Sequence, residues 1–505
     1  MSLRCDLCIK GVRFVPVFFL ILLSLQLVCC RPNQAKSPNV LFICVDDLRP
    51  ELGCYGNSQI VSPSLDRLAG EGVIFTNHFV NVPTCGASRW TLLTGMLPRT
   101  TGQLDNHAIR EYISGRPEGE LPETFIHHLK RNGYTTVGIG KIGHYADGFL
   151  YGYEDPQGTR RELPHSWNKV LFDPGKWESG WNAFFAYADG SNRQSRKKMV
   201  KPYEKAEVED EGYPDGLTAA LAVSKLQELA AGKRPFFMGV GFFKPHLPFN
   251  APKKYWDLYE ESQLPLTPSP NIPMAVNVAS LHESGEFNQY QLGEEKASLA
   301  QAVSEAYTRK LTHAYYACIS YVDAQIGKIL AELKRLGLEQ NTLVVVWGDH
   351  GWHLGDHRVW GKHTLFERAL KSVLIIKAPG MKSKGLACDS IVSSIDIYPT
   401  LMKLCGVDMP YPSQGRSLDV LWNESDKTHW ENAAYGYYRK GITVRTERYR
   451  LTRYFRDEQP TIELYDHATD PFENQNIAHD FPDIIKLLLP IWARGNTGVF
   501  EKQQE

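Results

Sequence analysis

Four apolar segments each run directly into charged or histidine side chains, and this pattern restricts the chain to few folds. The segments are residues 39–45, 134–139, 235–242 and 342–347. Continuous apolar runs of this length are typical of parallel strands that are covered on both faces. Segments predicted to be helical lie between them, at residues 121–131, 217–230 and 315–336. The sequence therefore predicts an α/β fold with a large, mainly parallel sheet flanked by helices.

Polar side chains follow each of these predicted strands. They are Asp46 and Asp47, Lys141 and His144, Lys244 and His246, and Asp349 and His350. One such ending is equally well explained by a solvated turn or a structural histidine. Ligands of open α/β sheets bind outside the carboxyl ends of the strands, so four endings together predict a shared site there.

Residues 83–95 predict a helix that faces this site. Thr84 is a good residue to precede a helix, and Gly95 is a good residue to follow one. Cys85 and Arg89 are four residues apart, so they share one helix face. Unpaired N–H groups at a helix N-terminus favour anions. A buried structural cysteine is the alternative reading, but the pattern favours a site that processes an anion.

Cys85-Gly86-Ala87-Ser88-Arg89, followed by Leu93-Thr94-Gly95, resembles the signature of the sulfatase family. The resemblance extends from residue 38 to about residue 490 and is closest to the iduronate-sulfatase branch. It is carried further by Asp46-Asp47-Leu48-Arg49-Pro50, Lys244-Pro245-His246 and Asp349-His350-Gly351-Trp352. The resemblance implies an alkaline-phosphatase-like fold. It also implies that a sulfatase-maturing enzyme oxidises Cys85 to formylglycine, whose hydrate attacks the sulfur of a sulfate ester.

The resemblance also implies a role for each matching residue. The implied ligands of a divalent cation, Ca²⁺, are Asp46, Asp47, Cys85, Asp349 and His350. Arg89 and Lys141 would hold the formylglycine hydrate, and Lys141 with Lys362 would neutralise the sulfate oxygens. His246 would be the general acid, His144 would be the base of the second step, and His363 would contact the substrate. The implied substrate is a sulfated glycan that carries a 2-O-sulfate on iduronate or a related uronic acid, as in a glycosaminoglycan.

Two other functions fit the same residues. A phosphodiesterase or phosphonate-ester hydrolase of the same superfamily needs the same metal, nucleophile and anion-binding side chains. A non-catalytic, calcium-dependent glycan-binding protein would keep the ligands but would carry no formylglycine. Relative rates on sulfate and phosphate esters separate the first from a sulfatase, and the mass of the Cys85 peptide separates the second.

The N-terminal residues predict export. Arg4, Lys10 and Arg13 precede an apolar run over residues 14–28, which is typical of a signal peptide spanning residues 1–30. We therefore expect a periplasmic, secreted or lysosome-like protein, with a linker at residues 31–38. Membrane association is expected only through an uncleaved or lipidated N-terminus. The net charge of −1 gives no indication of nucleic-acid binding.

The remaining chain predicts two regions, a catalytic domain over residues 39–425 and a smaller subdomain over residues 430–505. Short segments rich in Tyr and Arg in the latter predict an antiparallel sheet, followed by one helix. Six cysteines lie outside the signal region, and their wide spacing excludes a disulfide scaffold or a zinc module. A single bridge between Cys388 and Cys405 is the candidate disulfide.

Overall fold

The computed structural model describes residue 11 and residues 37–152, 158–422 and 429–501. Pro38–Glu505 forms one compact unit. The predicted signal peptide, apart from residue 11, and most of the predicted linker lie outside the described residues. The predicted boundary at residues 425–430 also falls largely on residues that are not described, so this division stays a prediction. In the described ranges, no helix combines the length and apolar character needed to cross a membrane.

The described residues form sixteen strands and eleven α-helices. The strands are β1 (Asn39–Val45), β2 (Val73–Phe79), β3 (Thr135–Gly140), β4 (Lys169–Leu171), β5 (Tyr203–Ala206), β6 (Phe236–Phe242), β7 (Phe249–Pro252), β8 (Thr342–Gly348), β9 (His353–Leu354), β10 (Trp360–Gly361), β11 (Leu374–Lys377), β12 (Leu386–Ser393), β13 (Ala433–Tyr438), β14 (Gly441–Thr446), β15 (Tyr449–Tyr454) and β16 (Ile462–Asp466). The helices are α1 (Pro63–Glu71), α2 (Cys85–Thr94), α3 (Ala108–Tyr112), α4 (Phe125–Arg131), α5 (Gly180–Phe184), α6 (Pro214–Ala230), α7 (Lys253–Trp256), α8 (Glu305–Arg335), α9 (Glu367–Leu370), α10 (Ile397–Cys405) and α11 (Pro482–Arg494).

The main sheet has eight strands in the order β12-β2-β11-β8-β1-β6-β3-β4. Strand β11 is antiparallel to both neighbours, and the other neighbouring pairs are parallel. Central strand β1 shows why this sheet is buried on both faces. Its consecutive residues Phe42 and Ile43 point to opposite faces and lie in two different hydrophobic clusters, and both are fully buried. The predicted α/β fold with a mainly parallel sheet is confirmed.

Three predicted helices begin at other residues than expected. Helix α6 begins at Pro214 rather than at residue 217, because proline is well suited to the first turn of a helix. Helix α4 begins at Phe125 rather than at residue 121, because Pro122 lies before it and the Thr124 side chain caps it by accepting the His127 N–H. Helix α8 begins at Glu305 rather than at residue 315, since Ser304 caps it in the same way. The predicted segment, residues 315–336, corresponds only to the later part of α8.

Strands β13 to β16 form the predicted small antiparallel sheet in sequential order. Helix α11 packs against it, and the Trp492 indole N–H donates to the Ile442 carbonyl at 2.9 Å. The candidate disulfide is wrong, because Cys388 and Cys405 are both free thiols. They are buried on β12 and α10, respectively, where each contributes to the apolar core.

Candidate active site

The four predicted strand endings lie beside one another in the sheet. Strands β8, β1, β6 and β3 are consecutive neighbours, so their carboxyl ends meet at one edge. Seven of the eight side chains that follow them are almost fully buried, and His144 is half-buried. The seven, each at most 3% exposed, are Asp46, Asp47, Lys141, Lys244, His246, Asp349 and His350. Buried charges require partners, and these residues partner one another.

Helix α2 brings Cys85 to the same edge. All ten of its residues are buried, and Gly95 ends the helix with a φ of +64°. The Cys85 Sγ atom lies 3.2 Å from His350 Nε2, 3.3 Å from Lys362 Nζ and 3.5 Å from Asp46 Oδ1. Burial and Asp46 raise the pKa of the Cys85 thiol well above its ordinary value. The unmodified thiol is therefore a poor nucleophile, since the thiolate is the reactive form.

Each of the three buried carboxylates has a cationic partner. Arg89 donates to Asp349 Oδ2 from Nε at 3.1 Å and from Nη2 at 3.0 Å. Lys141 Nζ donates to Asp46 Oδ2. Lys362 Nζ lies 2.9 Å from Asp47 Oδ1.

Burial opposes ionisation of Asp46 and Asp47, but the two carboxyl groups differ. Lys141 and His246 outweigh burial at Asp46 and hold its pKa well below the usual value. Burial outweighs Lys362 and His350 at Asp47 and raises its pKa to about 7. Asp46 is therefore the more firmly ionised of the adjacent pair.

Four of the five predicted metal ligands form a compact group. Asp46, Cys85, Asp349 and His350 each offer one ligand atom, and these atoms lie within 4.8 Å of one another. Asp47 lies outside this group of four, although its Oδ1 atom is 3.2 Å from His350 Nδ1. Carboxylate oxygens with one imidazole nitrogen fit a hard divalent cation. The donor set therefore fits a divalent cation between the ends of β1 and β8.

His246 and His144 differ in their hydrogen bonds. His246 Nδ1 lies 2.6 Å from the Leu247 carbonyl, so Nδ1 carries a proton, and Nε2 lies 3.0 Å from Glu286 Oε1. The His144 main-chain N–H donates to Glu162 Oε1 at 2.8 Å. Burial and Lys141 lower the pKa of His144 well below its ordinary value, so its imidazole is neutral. His246 Nε2 therefore faces the Glu286 carboxylate and donates to it only when the imidazole is cationic, a form that burial disfavours by lowering the pKa of His246.

The predicted substrate contact, His363, lies at the edge of this group. Its main-chain N–H donates to the Pro83 carbonyl at 3.3 Å, two residues before Cys85. Its ring stacks on Tyr438, with centroids 5.5 Å apart and planes 14° from parallel. The side chain is only half-buried. His363 therefore borders the site rather than forming its base.

Two residues of the site, Glu286 and Phe184, could not be identified from the sequence. Glu286 contacts His246, and its Oε2 atom also lies 3.7 Å from Lys362 Nζ. The Phe184 ring centroid lies 4.5 Å from that of His246 and 4.2 Å from Lys141 Nζ. Both belong to long irregular stretches without a motif, and only the folded chain brings them to the strand ends.

The comparisons with known proteins agree with this geometry. A family model described as Sulfatase matches residues 38–407, and a model described as N-sulphoglucosamine sulphohydrolase, C-terminal, matches residues 355–488. The chain belongs to the sulfatase family. This sulfatase is 32% identical over 517 residues to a protein named sulfatase from Formosa agariphila, with 94% of this chain and 91% of that protein covered.

One further relative and one solved structure of similar fold extend the comparison. This sulfatase is 30% identical over 403 residues to the iduronate 2-sulfatase of Mus musculus, covering 74% of this chain and 69% of that enzyme. The solved phosphonate monoester hydrolase of Agrobacterium radiobacter superposes with a TM-score of 0.71 at 22% identity, covering 91% of this chain and 96% of that structure. This sulfatase is a sulfuric ester hydrolase of a family that generally uses formylglycine and a divalent metal.

Proposed function

We propose that this sulfatase removes a 2-O-sulfate from iduronate or a related uronic acid in an exported glycan-degrading role. The observation that carries the proposal is the surroundings of Cys85 at the N-terminus of α2. A cation, Lys362, and two members of a divalent-metal donor set, Asp46 and His350, all lie within 3.5 Å of its sulfur. The similarity to iduronate 2-sulfatase supports the choice of sugar.

Formylglycine at Cys85 would supply a hydrated aldehyde, with one hydroxyl to attack the sulfur and a second whose deprotonation expels sulfate. The Sγ atom of Cys85 marks where the hydroxyl oxygens of the formylglycine hydrate would lie. Arg89 lies on the same face of α2 as Cys85. It donates to Asp349 and lies 3.7 Å from Asp46, so it would orient the hydrate. Asp46, Asp47, Asp349 and His350 would hold Ca²⁺, which would polarise the sulfate.

The remaining side chains would handle charge and protons. Lys141 and Lys362 would neutralise the sulfate oxygens, as buried cations are most effective where charge develops. His246 would protonate the leaving sugar oxygen from Nε2, and Glu286 would favour the proton on that nitrogen. His144, neutral and near Lys141, would accept the proton released in the second step.

One experiment tests the proposal. The protein is produced together with a competent sulfatase-maturing enzyme, and the mass of the Cys85 peptide and the sulfate released from a 2-sulfated uronate disaccharide are measured. We expect an aldehyde at Cys85 and sulfate release that the Cys85→Ala variant lacks. An aldehyde with no release from this disaccharide, but release from another sulfated sugar, would refute the proposed substrate.

Phosphonate-ester hydrolysis is the second candidate, and the structural similarity to phosphonate monoester hydrolase favours it. The two chemistries share a metal, a nucleophile and anion-binding cations. Side-by-side kcat/KM values on an aryl sulfate and an aryl phosphonate decide between them. We expect the sulfate to be the better substrate.

A further inference from the structure

The C-terminal sheet contributes a wall to the active site. Tyr438 ends β13 and pairs with Gly441, so Arg439 and Lys440 form a two-residue turn. Their φ values are +44° and +60°, a conformation in which Gly or Asn is usually found. We call His363, Tyr438 and Arg439 the hairpin wall. Strained non-glycine residues cluster at functional sites, so this turn is a candidate for function.

Direct contacts join the hairpin wall to the site. The Tyr438 ring stacks on His363, which follows Lys362 in the chain. The His282 ring Nε2 lies 2.6 Å from the Lys362 carbonyl, and Arg439 Nη1 donates to the carbonyl of Leu281, the residue before His282. Lys362 Nζ lies 3.3 Å from Cys85 Sγ. Tyr438 therefore packs on the residue next to Lys362, and Arg439 follows Tyr438 in the chain.

Arg439 differs from the other cations of the site in its partners. Arg89, Lys141 and Lys362 each pair with a buried carboxylate. Within the described ranges, no carboxylate oxygen lies within 4 Å of the Arg439 guanidinium, whose Nη1 donates to the Leu281 carbonyl at 3.3 Å. The guanidinium also lies 5.4 Å from the Tyr438 ring centroid, and the residue is exposed. The guanidinium is therefore held by a hydrogen bond, while its positive charge has no carboxylate partner among the described residues.

We propose that Arg439 determines specificity by binding the carboxylate of the uronic acid. This inference rests on the proposed function, in which the same sugar carries both a sulfate and a carboxylate. In that function Lys141 and Lys362 bind the sulfate oxygens, so the carboxylate of the same sugar requires another cation. A guanidinium binds a carboxylate through two parallel N–H donors, which a lysine cannot reproduce.

The test uses binding as well as turnover. Dissociation constants are measured on Cys85→Ala protein, with and without Arg439→Gln, for a 2-sulfated uronate disaccharide and for the same disaccharide with its carboxyl reduced to an alcohol. We expect Arg439→Gln to weaken binding of the uronate about tenfold or more, as for a lost charge-assisted hydrogen bond. Binding of the reduced disaccharide should change less than twofold.

Turnover by the mature enzyme gives the second readout. Arg439→Gln should raise KM on the uronate disaccharide with little change in kcat, and this rise should be much larger than any rise in KM on an aryl sulfate. Lys440→Gln is the matched control, since it removes a positive charge from the same turn and should not alter either substrate. Arg439→Lys should recover only part of the lost affinity.

The outcomes separate this inference from the proposed function. An equal loss on the uronate and the reduced disaccharide, or no loss on either, would overturn the role of Arg439 while leaving the sulfatase assignment intact. Tight, Arg439-dependent binding of a disaccharide that the mature enzyme does not hydrolyse would support the inference and refute the proposed reaction.

Discussion

Lys362 is the residue whose removal tests the site chemistry most directly. Its Nζ atom lies 3.3 Å from Cys85 Sγ and 2.9 Å from Asp47 Oδ1, and the residue is 3% exposed. Lys362→Met keeps the length of the side chain and removes its charge. On the proposed function, this variant loses the cation that would stabilise the negative charge developing on the sulfate oxygens in the transition state.

The expected loss of activity follows from the interaction energy of two charges in close contact. Two unit charges about 4 Å apart in an effective dielectric constant of about 20 interact by about 4 kcal/mol. Since each 1.36 kcal/mol is a factor of ten in rate, we expect a loss of about 10³-fold in kcat/KM. Removal of a single preorganised donor typically costs about 10²–10³-fold in kcat, which agrees. KM should also rise, because the bound sulfate is already an anion.

The assay is steady-state hydrolysis of an aryl sulfate, with rates expressed per formylglycine as measured by the mass of the Cys85 peptide. Lys225→Met is the matched control, because Lys225 is also buried but pairs with Glu228 on α6. We expect the control to stay within twofold of the unchanged enzyme and Lys362→Arg to recover part of the rate. A Lys362→Met enzyme within fivefold of the unchanged rate would refute the assigned role.

Three further variants test other parts of the site. Asp349→Asn should lower the bound divalent-metal content and should lower activity at least 100-fold; normal metal content would contradict the ligand assignment. The variant should also cost about 3–5 kcal/mol in urea unfolding, because the buried Arg89 guanidinium keeps only the more distant Asp46 carboxylate, at 3.7 Å. Burial raises the pKa of Glu162 from 4.5 to about 7, so this group destabilises the fold increasingly as pH rises from about 4.5 to 7. Glu162→Gln should therefore stabilise the protein more at pH 8 than at pH 5, by up to about 3 kcal/mol in urea titrations, and an equal effect at both pH values would exclude this origin. Gly86→Ala should lower stability by about 1–3 kcal/mol and impair activity, because its Cβ would lie 2.0 Å from the Asn106 carbonyl oxygen; a thermal midpoint equal to that of the unchanged protein would refute this packing.

The sequence predicted those parts of the site that depend on periodicity and local order. The apolar runs before Asp46, Lys141, His246 and Asp349 are central strands, and their carboxyl ends meet as expected. Helix α2 begins at Cys85, between the Thr84 and Gly95 that were expected to bound it. These features could be predicted because each depends on residues close together in the chain.

Other features depend on contacts between distant segments, which a single sequence does not encode in any visible pattern. Glu286 reaches His246 across forty residues of chain, from an irregular stretch with several prolines. Strand β11 reads as a buried strand, but nothing in its sequence indicates that it runs antiparallel to β8. The turn at Arg439 is unexpected for the same reason, since neither residue of it favours a positive φ.

The burial of α2 has a consequence for how active protein is made. Cys85 is 3% exposed and every other residue of its helix is buried, so the folded chain offers a maturing enzyme neither the thiol nor its flanking sequence. On the proposed function, oxidation must therefore come before folding. The active fraction of a preparation is then decided during biosynthesis, by the competition between modification and folding, and no later treatment of the folded protein raises it.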